Sequence, residues 1–552
     1  MKKSSPKFIF VVGGVISGVG KGVASSSIAK ILQDRGQTVT AIKIDPYINL
    51  DAGTMNPTEH GEVFVLKDGD ETDQDMGNYE RFLNVDLTRK NYMTTGRVYE
   101  TVIHKERNLE YQGRCVEVVP HIPMEVMRRI ELAQREAKAD VTLIEIGGTV
   151  GEYQNMLFLE AARMMKIKHP KDVFFVMVSY LPVPSKVGEM KTKPTQSAVR
   201  TLNASGIQPD IIMARAETHL DAKRKEKLSM FCNVPSDRII SAPDVESIYD
   251  VPLNFEKEKL GDLLCSIMGT TCSRKETPQA KKWKEFVKKV HTAKDEVRIA
   301  VIGKYFETGE FLLSDAYLSV IEAIKYSAFW ENKKAKIDWM SANDFEKNYA
   351  TTNKLKGYDG IIVPGGFGSR AIEGKINVIR YARENKIPYF GLCYGMQLAV
   401  IEFARNVVGM KGAHTTEVDQ KTKFPVIDIM ESQKENVRNA RYGGSMRLGE
   451  YNARLVDGTY ARQAYGKRDI VERHRHRYEV NPKFVADIEK KGMVFSGFNP
   501  ETGLKEIAEL PKKVHPFFVG TQYHPEFLAR PTSPHPLFTA FIKAAVAKRK
   551  KK

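Results

Sequence analysis

The stretch "KFIFVVGGVISGVGKG", residues 7–22, decides the fold of the first half of the chain. An apolar run that ends in glycines and a lysine predicts a buried strand, a phosphate-binding loop and a helix from about Lys21 to Asp34, with Gly36 as a stop. The usual loop has a Ser or Thr directly after the lysine to bind Mg²⁺, whereas this chain has Gly22. The loop predicts a bound nucleoside triphosphate, and its metal must be held by residues elsewhere.

Apolar strands alternate with helical stretches through residues 8–270. Further strands are predicted at "TVTAIKIDPYIN", "ADVTLIEIGG", "VFFVMVSYLP" and "PDIIMARA". This alternation is typical of a mostly parallel sheet covered by helices on both faces. A second series begins at "VRIAVIGKY" and continues through "YDGIIVPGGFG", "IPYFGLCYG" and "FFVGTQYHPEF". We therefore predict an α/β protein with two doubly wound parallel-sheet domains.

The domain boundaries follow from length and composition. A chain of 552 residues exceeds the ~250–300 residues at which single cores usually stop growing. A polar, lysine-rich stretch separates the two strand series. We predict a phosphate-loop domain over residues 1–272, a linker over 273–296, a second α/β domain over 297–545 and a basic tail over 546–552, disordered from Lys548.

Composition restricts the class of partner and the compartment. The formal net charge of +17 predicts anionic partners, either nucleic acid, a membrane surface or phosphorylated small molecules, although a solvated basic surface explains it equally well. No apolar run approaches the ~20 residues of a membrane-spanning helix. The basic and then apolar N-terminus imitates a secretory signal but continues into the glycine loop. Five cysteines without C-x-x-C spacing indicate no disulfide framework and no zinc site, which favours a reduced, cytoplasmic protein.

A cysteine in the second series has the surroundings of a nucleophile. "GLCYGMQ", residues 391–397, places Cys393 on a sharp turn between a strand and a helix, where the helix N-terminus favours a thiolate. In "YHPEF", His524 and Glu526 are two residues apart and point to the same side of an extended segment. The glycine loop at residues 363–368 offers backbone N–H groups for an oxyanion. A buried structural cysteine is the alternative for Cys393 alone.

At these residues the second half resembles the class I glutamine amidotransferases. The resemblance implies that Cys393 attacks the glutamine amide, that His524 is the general base and then the acid, and that Glu526 orients it. The substrate pocket that it implies is formed by Gly366, Tyr394, Gly395, Met396, Gln397, Glu417 and Arg477. Tyr394 stands where this group often has Leu, and Arg477 lies in "ERHRHRYEVN", which alone resembles a nucleic-acid patch.

Carboxylates elsewhere in the chain can bind Mg²⁺ in place of the hydroxyl that the loop lacks. Mg²⁺ prefers hard oxygen ligands and tolerates water in its other positions. Asp75 in "ETDQDMGNYERF" and Glu145 in "LIEIGGTVGE" both stand where strands meet loops. Asp75 taken alone also fits a solvated acidic loop. We predict a site for Mg²⁺ at Asp75 and Glu145.

Motifs in order along nearly the whole chain resemble the CTP synthase family. They are "GGVISGVGKG", "KIDPYINLDAGTMNPTEHGEVFVLKDG", "ETDQDMGNYERF", "IGGTVGE", "KTKPTQ" and "FCNVP", followed by the amidotransferase motifs. The resemblance implies that ATP phosphorylates O4 of UTP, that ammonia from glutamine hydrolysis passes between the domains and attacks C4, and that phosphate leaves to give CTP. The first domain is then a synthetase, or amidoligase, domain that binds ATP and UTP.

The resemblance also assigns nucleotide contacts. Lys21 and Lys43 would contact the transferring phosphates. The other residues that it implies near the nucleotides are Ser17, Gly18, Val19, Gly20 and Gly22 of the loop; Asp75; Glu152, Tyr153 and Gln154; Lys191, Thr192, Lys193, Pro194, Thr195, Gln196 and Lys227; and Pro243, Asp244 and Val245. Of these, the lysine-rich motif, Lys227 and Ser17 would bind UTP, and residues 243–245 would flank adenine. A solvated basic loop is the alternative for "KTKPTQ" alone.

The same resemblance implies GTP activation, CTP feedback inhibition and a homotetramer, and leaves filament assembly open. The family usually reads G-D-I-E after "GGTV", whereas this chain has Glu152, Tyr153 and Gln154 after Gly151. Loss of a carboxylate at Gln154 predicts altered inhibition by CTP.

Three alternatives remain at this point. An amidotransferase of the cobyric or cobyrinic acid type would activate a carboxylate, and activity with UTP would discriminate. A DNA-partitioning ATPase fits the basic charge but leaves Cys393, His524 and Glu526 without a role. A polymer-forming structural role is the third. We expect no nucleic-acid or membrane partner.

Overall fold

The structure is a computed structural model that describes residues 5–186, 188–273, 275–303, 307–308, 311–312, 314–366, 371–439 and 443–550. Residues 367–368 of the predicted oxyanion loop and 551–552 of the predicted tail lie outside these ranges. The chain forms two compact units. The first unit comprises Met1–Asp51 and Asn78–Val287, and the second comprises Ala52–Gly77 and Lys288–Lys552.

Nine strands and eleven helices are described up to residue 292. The strands are Lys7–Gly14 (β1), Val39–Asp45 (β2), Phe64–Val65 (β3), Glu71–Thr72 (β4), Tyr92–Thr94 (β5), Val141–Ile146 (β6), Val173–Tyr180 (β7), Ile211–Ala216 (β8) and Ile239–Pro243 (β9). The helices are Lys21–Asp34 (α1), Pro57–His60 (α2), Asp75–Leu83 (α3), Thr95–Arg107 (α4), Val118–Ala137 (α5), Met156–Lys168 (α6), Lys193–Ala204 (α7), Ala222–Cys232 (α8), Val251–Lys257 (α9), Leu260–Met268 (α10) and Pro278–Thr292 (α11).

The first unit is built on a parallel sheet of seven strands in the order β5-β2-β6-β1-β7-β8-β9. Every residue of β1 is buried, as expected for a central parallel strand that is covered on both faces. The register places Lys43 of β2 opposite Glu145 of β6. The predicted parallel α/β fold is confirmed here, and the carboxyl ends of β1, β2 and β6 meet beside the glycine loop.

The remaining elements belong to the second unit. The strands are Asp295–Gly303 (β10), Glu307–Thr308 (β11), Phe311–Leu312 (β12), Lys333–Ser341 (β13), Gly360–Val363 (β14), Tyr389–Leu392 (β15), His414–Thr415 (β16), Pro425–Ile429 (β17), Arg447–Leu455 (β18), Asp469–His476 (β19), Tyr478–Val480 (β20), Val494–Phe498 (β21), Lys505–Glu509 (β22) and Phe518–Thr521 (β23). The helices are Leu318–Trp330 (α12), Ile372–Glu384 (α13), Tyr394–Phe403 (α14), Glu431–Arg438 (α15), Tyr460–Tyr465 (α16), Pro482–Lys490 (α17) and Pro536–Arg549 (α18). None of the helices in the described ranges is long and apolar enough to cross a bilayer.

The second unit has a mixed sheet of nine strands in the order β13-β10-β14-β15-β23-β22-β21-β18-β19. The first five strands are parallel, as predicted, and the last four continue the sheet in antiparallel orientation. β15 pairs with β23 so that Leu392 lies opposite Thr521. This pairing brings the end of the strand before Cys393 beside the strand that leads to His524.

The expectation of no disulfide is wrong for one pair of cysteines. Cys265 in α10 is bonded to Cys272, whereas Cys115, Cys232 and Cys393 are free. The two bonded cysteines are seven positions apart in the sequence. Neither the odd number of cysteines nor the absence of C-x-x-C spacing predicts a disulfide at this separation. The bond ties the end of α10 to the chain that leads into α11.

The expectation of disorder from Lys548 is also wrong for its first two residues. Helix α18 extends to Arg549. Lys548 Nζ donates to the Tyr358 carbonyl at 2.8 Å, and Arg549 lies 3.3 Å from Asp359 Oδ2. The basic residues therefore continue an amphipathic helix that docks on the second unit, instead of starting a free tail.

Candidate functional site

The predicted cysteine elbow is present. Cys393 separates β15 from α14 with φ 50° and ψ −99°, a conformation that is costly for a residue with a side chain. A Cβ on Gly395 would lie 2.1 Å from the Val363 carbonyl oxygen, and one on Gly391 would lie 2.7 Å from Gly395. Both glycines are therefore required for the close approach of the turn to its neighbours. The strained turn presents the Cys393 thiol at the carboxyl end of the sheet.

His524 and Glu526 form a hydrogen-bonded pair beyond the end of β23. His524 Nδ1 is 2.7 Å from Glu526 Oε1, and the His524 backbone N–H donates to the Arg473 carbonyl at 2.8 Å. Burial opposes the charged imidazolium, but the negative charges of Glu526 and Cys393 outweigh it and raise the pKa of His524 to about 10. At neutral pH the imidazolium is consequently the stable form of His524.

A cavity of 280 Å³ opens onto this group. Cys393, His524 and Glu526 line it together with the predicted pocket residues Gly366 and Arg477. Within the described residues, His524 Nε2 has no hydrogen-bond partner, so it is available to a ligand. The arrangement suits nucleophilic attack on an amide carbonyl with proton transfer to the leaving nitrogen.

One wall of this cavity comes from the Ala52–Gly77 segment, which the sequence does not predict. Gly53, Met55, Pro57, Glu62 and Val63 line the cavity. These residues precede the second domain by more than two hundred positions, so no local spacing in the sequence connects them with the cysteine elbow.

Four of the other predicted pocket residues, at positions 394–397, are buried in the first turn of α14, whereas Glu417 is half-buried. Tyr394 is 2% exposed, and its ring packs under Lys375, whose Nζ is 5.5 Å from the ring centre. Gln397 Nε2 donates to the Tyr478 carbonyl at 2.9 Å. Gly395 and Met396 belong to the same buried first turn of α14. The residues that line the described cavity do not include Tyr394, Gly395, Met396, Gln397 or Glu417.

The predicted phosphate loop of the first unit curls around Lys21. Lys21 Nζ donates to the Gly148 carbonyl at 2.7 Å, and a Cβ on Gly13 would lie 2.8 Å from this nitrogen. Gly18 and Gly20 have φ of 71° and 89°, values that favour glycine. Ser17 and Gly18 are exposed at the turn, and Gly22 lies in the first turn of α1. The first-turn N–H groups of α1 are therefore placed to bind an anion.

Lys43 and Glu145 form a buried ion pair at 2.8 Å beside this loop. The other Glu145 oxygen accepts a hydrogen bond from the Tyr79 hydroxyl on α3. Asp75 begins the same helix one turn earlier, so its side chain shares a face of α3 with Tyr79. No group of three or more His, Cys, Asp or Glu side chains in the described ranges is arranged to hold a metal ion. Asp75 belongs to the second unit and Glu145 to the first, and each carboxylate offers the hard oxygens that Mg²⁺ prefers.

A second cavity, of 230 Å³, adjoins the loop within the first unit. Val19 and Gly20 of the loop and Pro243, Asp244 and Val245 line it, together with apolar side chains of α9. Its apolar walls suit a flat base. Arg215, at the end of β8, also lines it, and donates to the Gly18 carbonyl at 3.2 Å and to Asp244 Oδ1 at 2.9 Å. Arg215 is absent from the predicted site residues, although its place at a strand's carboxyl end is a signal for it.

The predicted lysine-rich motif spans the start of α7. Lys191 is exposed and pairs with Glu189 at 2.7 Å, whereas Thr195 is buried and lies 2.8 Å from Ser179 Oγ. Gln196 donates to Thr192 Oγ1 at 3.1 Å. Lys193 and Pro194 form the first turn of α7, and Lys227 is exposed on α8. The exposed lysines are available to an anion, and the Thr195 hydroxyl has a structural role.

Residues 152–154, where this chain differs from the usual family sequence, have different environments. Glu152 accepts hydrogen bonds from the backbone N–H and hydroxyl of Thr149, at 3.0 and 2.5 Å. Tyr153 is 89% exposed, and Gln154 is also exposed. Glu152 therefore closes the loop on itself, while the next two side chains face outward.

Two family profiles match the chain. The family described as "CTP synthase N-terminus" matches residues 7–270, and "Glutamine amidotransferase class-I" matches residues 312–544. A CTP synthase of Pyrococcus abyssi is 51% identical over 98% of both chains, and one of Thermococcus gammatolerans is 50% identical over 98% of both chains. A solved structure, the glutaminase domain of Trypanosoma brucei CTPS with bound acivicin, is 34% identical over 46% of this chain and 94% of its own, with a TM-score of 0.42.

Proposed function

Because the chain belongs to the CTP synthase family, glutamine-hydrolysing enzymes that convert UTP to CTP, we propose a two-site mechanism with ATP as co-substrate. ATP phosphorylates O4 of UTP in the first unit, and glutamine is hydrolysed in the second. Ammonia passes between them and displaces phosphate from C4. The observation that carries the proposal is that Cys393 and the hydrogen-bonded pair of His524 and Glu526 line the same cavity.

Glutamine hydrolysis begins with the Cys393 thiolate. The sulfur attacks the amide carbonyl carbon, and backbone N–H groups beside Gly366 and at the start of α14 stabilise the oxyanion. His524 then donates its proton to the departing nitrogen, the C–N bond breaks, and a thioester remains. Water hydrolyses this thioester to glutamate with His524 as the base. Arg477, which lines the cavity, supplies a cation for the substrate carboxylate.

The first unit activates UTP. Lys21 and Lys43 lie at the carboxyl ends of the sheet and neutralise the charge of the phosphoryl group in transfer. Asp75 and Glu145 would hold Mg²⁺, which would neutralise part of the negative charge of the nucleotide phosphates. Residues 17–22 cradle a triphosphate, and residues 243–245 flank adenine in the apolar cavity. Lys191, Lys193 and Lys227 attract the UTP triphosphate.

Regulation follows the family pattern in this proposal, with GTP as activator, CTP as feedback inhibitor and a homotetramer as the working assembly. We retain as a proposal a synthetase domain over residues 1–272 and an amidotransferase domain over 297–545, although the Ala52–Gly77 segment groups with the second unit. The exposed amide of Gln154 weakens CTP recognition relative to a carboxylate. The Gln154→Glu variant should therefore change the inhibition constant for CTP by several-fold; an identical constant in both proteins contradicts this step.

The decisive experiment measures CTP formation from UTP, ATP and Mg²⁺ by absorbance, with glutamine or with ammonium chloride. Cys393→Ala should lose glutamine-dependent synthesis by at least about 10³-fold and keep ammonia-dependent synthesis. Cys115→Ala, at an exposed free cysteine, is the matched control and should keep both.

The outcomes separate the two halves of the proposal. Equal loss with both nitrogen sources in Cys393→Ala would remove the two-site assignment. No CTP from either source with the wild-type protein would favour a different acceptor, such as a carboxylate.

A further inference from the structure

Gln522 touches the sulfur of Cys393. Its side chain is fully buried, and its Nε2 is 3.7 Å from Cys393 Sγ, within hydrogen-bond range for sulfur. It stands two residues before His524, in the bend that directly follows β23. Gln522 and His524 therefore both come from the chain that leaves β23, beside the elbow that carries the nucleophile.

The orientation of the Gln522 amide is fixed by its neighbours. Gln397 Nε2 donates to the Tyr478 carbonyl at 2.9 Å and to Gln522 Oε1 at 3.2 Å. A carbonyl oxygen only accepts, so the Gln397 group must be an N–H₂ donor, and the Gln522 atom that faces it must be the oxygen. The N–H₂ group of Gln522 is thereby directed at the sulfur.

The backbone on both sides of this contact is also anchored. The Gln522 N–H donates to the Glu506 carbonyl at 2.8 Å, and the Cys393 N–H donates to the Thr521 carbonyl at 2.6 Å. Donor and acceptor therefore hold a set separation before any substrate binds, as an effective electrostatic contact requires.

We propose that Gln522 is a catalytic residue for glutamine hydrolysis, whose side-chain amide donates a hydrogen bond to the Cys393 thiolate. The proposal rests on the proposed role of Cys393 as the nucleophile. The Cys393 sulfur is also 3.8 Å from the Arg475 carbonyl, which accepts a hydrogen bond only from the neutral thiol. The amide favours the thiolate, so Gln522 tips the balance toward the reactive form.

The amide acts twice in each turnover. It stabilises the thiolate before attack and again when the thioester is hydrolysed and sulfur is the leaving group. The charged and titratable residues that line this cavity with Cys393 are Glu62, Arg475, Arg477, His524 and Glu526. Burial and the positive charges of His474, Arg447 and His524 hold the pKa of nearby His476 well below its usual value, so His476 stays neutral. A neutral donor adds stabilisation without changing the net charge seen by glutamine.

The test uses Gln522→Glu and Gln522→Met in the full-length protein. Glutamate keeps the oxygen that accepts from Gln397 and replaces the donor by an acidic oxygen whose charge opposes the thiolate. Methionine keeps the volume, is neutral and has no donor. Gln463→Glu makes the same chemical change on an exposed residue of the second unit and is the control. The readouts are glutamine hydrolysis, ammonia-dependent CTP synthesis and the rate of Cys393 alkylation by iodoacetamide across pH, with Cys115 as an internal reference.

Both Gln522 variants should lose about 10- to 100-fold in kcat/KM for glutamine hydrolysis, mainly in kcat, because one donor to a developing or stored charge is worth this much. Cys393 alkylation should be about tenfold slower at neutral pH and equal to wild type at alkaline pH, where the thiol is ionised in every variant. Ammonia-dependent synthesis, which reports that the first unit is folded and active, should stay within about twofold.

The proposal is wrong if the methionine variant hydrolyses glutamine and alkylates like the wild type. If the glutamate variant loses ammonia-dependent synthesis through misfolding, the methionine variant decides. Retention of glutamine-dependent synthesis by Cys393→Ala would instead overturn the nucleophile assignment, which separates the two failures.

Discussion

The position of one proton governs the chemistry of the second unit. His524 lies between two acidic groups, Glu526 at its Nδ1 and the Cys393 thiol in the same cavity. Their charges raise its pKa from 6.5 to about 10 despite burial. The imidazolium is therefore the stable form at neutral pH, and it can protonate the leaving nitrogen after attack.

We expect Glu526→Gln to lower the pKa of His524 from about 10 toward its ordinary value and to reduce glutamine hydrolysis by about 10²- to 10⁴-fold, because the amide no longer stabilises the imidazolium. The raised pKa stabilises the fold fully below pH 6.5, and this contribution is lost as pH rises through about 10. The apparent Tm of the variant should therefore lie furthest below wild type near pH 6 and converge with it toward pH 10.

An imidazole NMR titration of wild type and variant measures the His524 shift directly. His104, outside the second unit, provides the control and should titrate identically in both proteins. A His524 titration that is unchanged by Glu526→Gln would show that Glu526 does not hold the proton.

Single residues were predictable where chemistry and spacing coincide. Cys393 stands out by its glycines, and His524 and Glu526 by their two-residue spacing in "HPE". Gln522 has the same spacing but carries no titratable group, so only its contact with sulfur identifies it. Tyr394 was assigned to the pocket from sequence, yet its ring packs against the core, because the first helical turn after an elbow presents its backbone, not its side chains, to the site.

At the scale of elements, the Ala52–Gly77 segment forms one wall of the proposed glutamine cavity. It groups with the second unit. The Glu62 carboxylate accepts from the Ser319 backbone N–H at 3.0 Å, and Arg473 donates to the Val65 carbonyl at 3.1 Å. Phe64, fully buried on β3, meets the ring of Phe527 edge to face at 5.1 Å. The segment thus supports the residue that follows Glu526.

Phe64→Leu should slow glutamine hydrolysis up to about tenfold, since an aromatic pair is worth about 0.5–1.5 kcal/mol beyond its buried area. The reason is a chain of ring contacts: Phe527 also stacks on His524, with ring centres 5.0 Å apart at 16°. Without the edge-to-face contact of Phe64, the Phe527 ring can move, and the His524 imidazole that stacks on it is then held less firmly. Glutamine hydrolysis kinetics measure the effect, which should fall on kcat more than on KM.

Phe541→Leu provides the matched comparison, because Phe541 is equally buried in the same unit but packs on Phe390 and Phe517. It should leave kcat within about twofold of wild type. An equal decrease in both variants would mean that general stability, not imidazole position, is affected.

Elements were predictable where the apolar pattern is continuous. The buried strands β1, β6, β7 and β8 are mostly apolar, and a parallel sheet follows from them. The antiparallel strands β18 and β19 include many charged residues, so "ERHRHRYEVN" resembles a basic patch in sequence. In the structure the consecutive residues Arg473 and His474 are both fully buried.

At the scale of the whole molecule, the sequence could not assign Ala52–Gly77 to its unit. Arg475 Nε donates to Glu71 Oε1 at 2.8 Å across 404 residues of chain, and no local pattern encodes such a contact. The net charge of +17, by contrast, agrees with nucleotide substrates, because the family's substrates are polyanions.

The proposed transfer of ammonia within one chain makes a prediction about mixtures. Cys393→Ala lacks the glutaminase nucleophile, and Lys21→Met lacks the cation proposed to act on the phosphoryl group. Mixed in equal amounts, the two variants contain every catalytic group. Each chain with an active glutaminase, however, has an inactive synthetase. Ammonia made by one variant must then cross solvent, where it is diluted and protonated.

The ratio of CTP formed to glutamate released should therefore be close to one-to-one for wild type and at least about tenfold lower for the mixture at neutral pH, since a held reactant has a far higher effective concentration than a free one. Added ammonium chloride should restore CTP synthesis in the mixture through its Cys393→Ala component, which shows that this component is folded. A mixture that matches the wild-type ratio would mean that nitrogen travels through bulk solvent, and that the fusion of the two units in one chain has some purpose other than delivering ammonia.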